Sequence, residues 1–495
     1  MKNTESDNKF ITDLFSQVGF FVLFCHLYKG VAGFIIRDRE NNLSKKRGEK
    51  QVARKLTEGT PSKVLFLFAM PILLSTIFQQ LYTIADSVIA GKFAGESALA
   101  AIGASYPVTM IFMAVAFGSN AGCSIIISQL FGAGRVREMK TAVSTAMLTL
   151  AALSSVLSVG ALIFAPEIMT AMNTPTNIAA EATEYFRIYI GGFLFLALYN
   201  IANGAFTALG DSKTPLWFLI ASSVANVVLD YIFVAEYDWG VAGAAWATFI
   251  TQGLACIFAV ITLIIRLGKI KSEKYEIFSF TMLRNLARVS SQTITQQSFV
   301  SVGNMLVQWL INGYGSAVIA GFSAVMKLNT FAVTSIYTMC RAMSAFTAQN
   351  VGAGNYDRVK KGYRSAALIS AAVAGIFTVG YILFGEFFVS MFLETDSSGE
   401  ALKIGTECIK IIGSFYVVVS IKLVSDSVTS GAGAMKLFAI ATFTDLLLRV
   451  GLSYVLAPFY GMIGVAWSWP IGWTVAAAMS YCFYRFGNWR GKKLA

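Results

Sequence analysis

The stretch Gly132-Ala133-Gly134-Arg135-Val136-Arg137-Glu138-Met139-Lys140, GAGRVREMK, returns as GAGNYDRVK from Gly352. The pairing reaches back to Gln129 and Gln349 and forward to Lys140 and Lys360, and GVAGAAWAT from Gly240 returns as GMIGVAWSW from Gly461. The chain is therefore a duplication. A glycine-rich phosphate cradle is one reading of G-A-G, but the motif lacks the Lys-Ser/Thr of a P-loop and follows an apolar helical stretch, not a strand. A tight helix-to-helix turn that needs glycine is the reading the residues favour.

What the duplicated unit is made of follows from composition. Of 495 residues 56% are hydrophobic and 13% charged, with a mean hydropathy of +0.63, whereas soluble domains carry roughly 25% charged residues. A bilayer core of about 30 Å requires about 20 apolar residues per helix. Such stretches recur twelve times, at about 64–90, 98–127, 141–164, 185–208, 215–235, 241–265, 282–312, 317–346, 363–389, 405–430, 437–457 and 462–485. The formal charge of +12 raises nucleic acid as a partner, but the basic residues alternate by loop. Nineteen lie on one set of breaks, from Arg135 and Arg137 to Lys492 and Lys493, while the intervening set holds only Lys92, Arg187 and Lys403. That pattern excludes a nucleic-acid patch and predicts both termini in the cytoplasm. The fold class expected is an all-α polytopic membrane protein, with twelve transmembrane helices in two six-helix lobes. An even number of spans separates the copies, so the lobes are related by a pseudo-two-fold along the membrane normal.

Catalysis finds no footing. The single histidine, His26, lies outside the duplicated core, and Cys25, Cys123, Cys256, Cys340, Cys408 and Cys482 are too scattered for C-x-x-C, so neither a His triad nor a metal cluster is expected. What stands out is polarity inside the spans, where an ionisable side chain is costly and points to function. Three stripes occupy single helix faces: Gln79, Tyr82 and Asp86; Asn200, Asn203 and Thr207; Ser223, Asn226 and Asp230. Thr248 extends the polar set on the sixth span. The Asn, Ser and Thr positions could equally be interhelical hydrogen bonds. Asp86 and Asp230 differ, because neither has a Lys or Arg three or four residues away; a proton, a bound cation or a base from another helix must answer their charge. In the second copy Lys422 with Asp426, and Asp445 with Arg449, are spaced to cancel locally as structural or gating pairs, so exchanging Lys422 and Asp426 is predicted to be tolerated. Lys327 and Arg341 lack such partners and stand as counter-charges.

From about Leu56 to Phe486 the sequence resembles the multidrug and toxic compound extrusion (MATE) transporters. The resemblance rests on LTEGTPSKVLFLFAMPILL, TIADSVIAGKFAGESALAAIG, the paired GAG loops, TALGDSKTP and NVVLD. It implies two lobes around a cleft and antiport of lipophilic, often cationic drugs against H⁺ or Na⁺ at a cell (inner or plasma) membrane, by a monomeric, non-enzymatic carrier without a cofactor. In the branch with a first-lobe ion site, the matching positions for ion coupling are Asp86, Asp230, Asn226, Asn203 and Thr248, with Na⁺ held by Asp86, Asn226 and Asp230. Those for substrate are Gln79, Tyr82, Asn200 and Ser223, and Pro71 matches the helix-bending proline. The seventh span offers Gln292, Gln296 and Gln297 but no acid, which departs from branches with a second-lobe cation site.

The expected organisation is an extension over residues 1–55, interfacial or disordered, a first lobe over 56–270, and a second over 271–495 with a short cytoplasmic tail. Deleting residues 2–50 is expected to leave membrane insertion and dye efflux nearly intact, as surface expression and transport assays would check. Two rival classes are a flippase for lipid-linked saccharides, which would need a cationic cleft for pyrophosphate, and a membrane enzyme, which would need a convergent nucleophile and base. The acids of the first copy argue against the former.

Overall fold

In the computed structural model, residues 55–172, 174–393 and 399–490 are described; the expectations for the N-terminal extension, including His26 and Cys25, lie outside them. Every regular element among them is helical: α1 Pro61–Ile89, α2 Glu96–Gly132, α3 Val136–Ile163, α4 Ala165–Ala171, α5 Ala179–Gly191, α6 Phe193–Ala208, α7 Lys213–Asp230, α8 Gly240–Lys269, α9 Phe280–Ile311, α10 Ser316–Gly352, α11 Tyr356–Ser390, α12 Gly399–Gly413, α13 Tyr416–Gly431 and α14 Met435–Phe486. Short π-helical turns, Ala90–Ala94 and Tyr231–Glu236, follow α1 and α7.

These elements make the twelve crossings. Eight helices are long and apolar enough to span a bilayer, and the pairs α5–α6 and α12–α13 span it together with bends of 43° and 48°. The 52-residue α14 is one of the eight, yet it counts twice. It breaks at Gly461 (φ 56, ψ −140), and the Ser453 and Ser468 hydroxyls meet at 2.7 Å, so the chain doubles back as a hairpin. The remaining crossing, α9, runs from Ser279, whose N–H donates to Thr145 Oγ1 at 3.2 Å, to Tyr314 just beyond its far end, whose hydroxyl donates to the Ala457 carbonyl at 3.1 Å. Its glutamines make it the least apolar of the twelve.

The backbone records the duplication at matching glycines. Positive φ recurs at Gly95 and Gly315 (90° and 89°), Gly134 and Gly354 (73° and 75°), Gly210 and Gly433 (77° and 79°), and Gly240 and Gly461 (55° and 56°). The GAG motif itself is a helix stop. Arg135 N–H donates to Leu130 O and Gly134 N–H to Phe131 O, at 3.0 and 3.1 Å; Asn355 and Gly354 repeat the pattern on Asn350 and Val351 at 2.7 and 3.0 Å. This is the Schellman turn, whose left-handed residue glycine adopts without penalty. The phosphate-cradle alternative has no place in it.

Within the first lobe α2, α6 and α8 pack around Ile126, Ala205 and Ala259, and in the second α10, α12 and α13 pack around Val325, Ile412 and Tyr416. Small residues set the closest approaches, as is usual where lipid supplies no hydrophobic drive between helices. Gly118 and Gly122 of α2 bring that helix onto the backbone of Ile294 and Ser290 of α9, across the two lobes. The C-terminal tail docks rather than trailing free as far as Arg490: Trp489 is fully buried, donates its indole N–H to the Tyr484 carbonyl at 2.7 Å and stacks on that ring.

Candidate functional site

Helix α1 ends, and α7 ends, with a carboxylate beside a π-helical turn, and those two turns meet edge to face through Phe93 and Tyr231 at 5.8 Å. Isolated π-turns commonly mark functional positions, because they re-aim side chains. Here they bring the carboxyl groups of Asp86 and Asp230 into direct side-chain contact. Asp230 is fully buried, and its Oδ1 has no hydrogen-bond partner. Asn226, one turn earlier on α7, is also buried. In the amide orientation that satisfies both its ends, it donates to Asp230 Oδ2 at 2.9 Å and accepts from the Thr248 N–H of α8 at 3.2 Å. The Thr248 side chain in turn stands beside Tyr82 of α1. Asp86, Tyr82, Asn226, Asp230 and Thr248 therefore form one connected cluster drawn from three helices. Among the described residues no basic side chain forms an ion pair with either acid.

The other expected positions divide. Gln79 is exposed one turn from Tyr82 and Ser223 is buried one turn from Asn226, both continuing faces that carry the cluster. Asn200 instead donates to the Leu196 carbonyl of its own helix at 2.9 Å, and the buried Asn203 Oδ1 has no hydrogen-bond partner; among the described residues no hydrogen bond ties either to the acid pair. Thr207 bonds back to the Asn203 carbonyl at 2.9 Å. Pro71 lies inside α1, which stays helical through it; the ring leaves the Leu67 carbonyl without its usual N–H partner, so a bend there costs no backbone bond.

Two residues escaped sequence reasoning. Tyr185 and Tyr189 on α5 stack at 6.0 Å and lie within electrostatic reach of Asp86. With Tyr82 they stand around the acid pair. Their i, i+4 spacing is the signal that could have found them.

The second lobe corrects an expected pairing. Lys422 does meet Asp426, at 3.0 Å, but it also reaches Asp445 at 3.7 Å, and Ser480 donates to the other Asp426 oxygen at 2.6 Å. Arg449 is not ion-paired with Asp445; its guanidinium lies over the Trp469 ring at 4.4 Å. The turn at Gly433 folds the first limb of α14 back along α13 and brings Asp445 to Lys422, so packing between crossings overrides spacing along one helix. Lys327 lies over Phe392 at 5.5 Å, and neither it nor Arg341 forms an ion pair with an acid among the described residues. His, Cys, Asp and Glu form no metal-holding group of three among the described residues.

Comparison with known proteins agrees with this architecture. The MatE family profile matches residues 71–232 and again 293–455, once in each lobe. A probable multidrug resistance protein, YpnP of Bacillus subtilis (strain 168), is 26% identical over 447 residues, covering 88% of this chain and 98% of that protein. A MATE transporter crystallised in complex with MaL6 superposes with a TM-score of 0.83 at 23% identity, over 88% of this chain and 98% of the other. The outward-facing conformation of a multidrug resistance MATE transporter gives 0.81 at 23% identity, over 89% and 98%. This chain, a multi-pass membrane protein of two duplicated lobes, belongs to the MatE family of multidrug and toxic compound extrusion transporters.

Proposed function

We propose that the protein is a cation-coupled antiporter that exports lipophilic cationic compounds by alternating access, with H⁺ or Na⁺ binding between Asp86 and Asp230. The observation that carries this reading is the buried Asp230 Oδ1, which has no hydrogen-bond partner and stands beside a second carboxyl. Two carboxylates in contact in a low-dielectric pocket repel, so one proton or one cation must sit between them. An Na⁺ would find oxygen ligands in the two carboxylates and, with its amide turned toward the ion, in Asn226. The same negative pocket, walled by Tyr82, Tyr185 and Tyr189, attracts an organic cation when the coupling ion is absent. Drug and ion thus compete for one charge deficit, which is what antiport requires. Pro71 gives α1, the helix carrying Asp86, two available shapes through which ion binding can narrow the pocket and release the drug. The positive-inside bias supports a cytoplasmic position for the GAG end.

The experiment is efflux of a fluorescent permanent cation from proteoliposomes under a pH gradient or a sodium gradient imposed separately. Efflux driven by one of them is expected; none under either would sink the reading. A finer expectation concerns the aromatic wall. Tyr185→Ala should raise the KM for such a dye about tenfold, since a desolvated cation–π contact contributes up to ~2 kcal/mol, while Tyr185→Phe stays near wild type.

A further inference from the structure

The interlobe hydrogen bonds among the described residues all lie in the half of the molecule that carries the GAG turns. Thr293 Oγ1 of α9 donates to the Gly118 carbonyl of α2 at 2.6 Å, and the Thr76 and Thr338 hydroxyls of α1 and α10 meet at 3.5 Å. Nearer the end, two bonds form a symmetric pair. Gln129, three residues before the α2 terminus, donates its amide to the Gly431 carbonyl at 3.2 Å; Gln349, three residues before the α10 terminus, donates to the Ala208 carbonyl at 2.7 Å. Gly431 and Ala208 are the last residues of α13 and α6. Both helices end in the same turn as the GAG motifs, Asp211 N–H bonding Phe206 O and Ala434 N–H bonding Thr429 O, and no backbone N–H of the turn takes the Ala208 or Gly431 carbonyl. Helix ends leave such carbonyls open. Here a glutamine from the opposite lobe fills each.

The first glycine of each GAG motif makes that reach possible. A Cβ on Gly132 would overlap the Gln349 carbonyl oxygen, and one on Gly352 would overlap that of Gln129. The two helix ends therefore cross in direct backbone contact, each glycine lying against the other lobe's glutamine. Gln349 also holds the chain leading into α1: its Oε1 accepts the Leu56 N–H at 2.7 Å, and Leu56 is fully buried. Arg358, just past the second turn, grips the Glu58 carbonyl at 2.8 Å and that of Gly59 at 2.5 Å.

From this arrangement we infer that Gln129 and Gln349 are the paired latch of the GAG-side gate, and that Gly132 and Gly352 are its bearing surfaces. Transport through this end requires both bonds to break and the glycines to separate, and closure re-forms them. The bonds join neutral groups and are symmetric, so the gate closes without adding charge to the path of a cationic drug. A glutamine serves better than a charged donor because the lock must open once in every cycle, and a neutral bond contributes modestly in net terms.

The test uses a cysteine the chain already has. Cys123 of α2 is buried between the lobes on this side, its Sγ 3.8 Å from Ser290 Oγ of α9. It reports opening through its alkylation rate by N-ethylmaleimide, read site-specifically by peptide mass spectrometry on the full-length protein in nanodiscs. Gln129→Ala with Gln349→Ala is expected to raise that rate about tenfold or more, and each single substitution by less. The isosteric Gln129→Glu removes the donor without a cavity and should act like the single alanine variant, which covers the case in which the double variant is poorly folded. Gly352→Val should leave Cys123 reactive and efflux lost. The inference rests on the alternating-access reading, and the two fail differently. If wild-type Cys123 reacts at one slow rate with and without dye or coupling ion while efflux proceeds, alternating access and the latch both fall. If the wild-type rate changes with those ligands but the glutamine variants match wild type under every condition, the latch alone falls.

Discussion

Asp86→Asn is expected to abolish gradient-driven efflux while the protein remains folded and inserted. The amide keeps the size and one oxygen of the carboxyl group but carries no charge, so it holds the site in its neutralised state at all times. The ion then has nothing to neutralise, and the drug loses the attraction that draws it in. Asp230→Asn should do the same through the second carboxyl, with the added feature that its NH₂ would face the donor end of Asn226, which now bonds Asp230 Oδ2 at 2.9 Å. The double variant should be scarcely worse than either single one, because two groups that share one ion act as a unit and their effects do not add. Dye efflux under separate pH and sodium gradients, with size-exclusion profiles to verify folding, makes the measurement. Wild-type efflux by Asp86→Asn under both gradients would move the ion site elsewhere, most directly to the second-lobe charges.

Asn226→Ala separates positioning from charge. The substitution leaves both carboxyls but removes the group that fixes Asp230 and ties α7 to α8. Coupling should weaken and the apparent ion affinity should fall, yet efflux should persist at high ion concentration, where mass action compensates for lost binding. A variant as inactive as Asp86→Asn would instead make Asn226 indispensable.

What the sequence made legible follows from how each feature is encoded. The twelve crossings and the duplication were readable because hydropathy and a few glycines carry them locally: a left-handed φ at Gly134 or Gly354 depends on the residue itself and its two neighbours. Asp86, Asn226 and Asp230 were readable because an ionisable or amide group in a membrane span has few structural reasons to be there. Asn200 and Asn203 looked the same on paper and differ in space; Asn200 turns back onto its own helix, and a one-dimensional stripe cannot tell a face lining the acid cluster from one beside it. The latch was half visible. Gln129 and Gln349 stand in the repeat, but their acceptors are carbonyls, which every residue has, so nothing in the sequence marks Ala208 and Gly431. Two turns decide the second-lobe charges for the same reason: the one at Gly433 joins Asp445 to Lys422 on a different crossing, and the hairpin at Gly461 lays Trp469 against Arg449, where spacing along α14 suggested an Asp445–Arg449 pair.

That cluster sets the other large expected effect. Lys422, Asp426 and Asp445 are all buried, and one ammonium serves two carboxylates at 3.0 and 3.7 Å. Lys422→Ala leaves two acids in the core with only the Ser480 hydroxyl between them and bare repulsion, and breaking a buried pair in this way costs about 3–5 kcal/mol. Loss of folded protein is expected, read as collapse of the size-exclusion peak and a large drop in Tm in detergent. Asp426→Ala should be milder, because Asp445 remains to neutralise Lys422. Spacing along α13 alone suggested that exchanging Lys422 and Asp426 would be tolerated. The third member reverses that expectation: an aspartate at position 422 would face Asp445, and the transplanted lysine would face Ser480, so the exchange should be nearly as damaging as Lys422→Ala. Adding Asp445→Asn to the exchanged variant removes the repulsion and should recover much of the Tm. If the simple exchange is as stable as wild type, Lys422 and Asp426 are an isolated pair after all, and the contact to Asp445 contributes nothing to the fold.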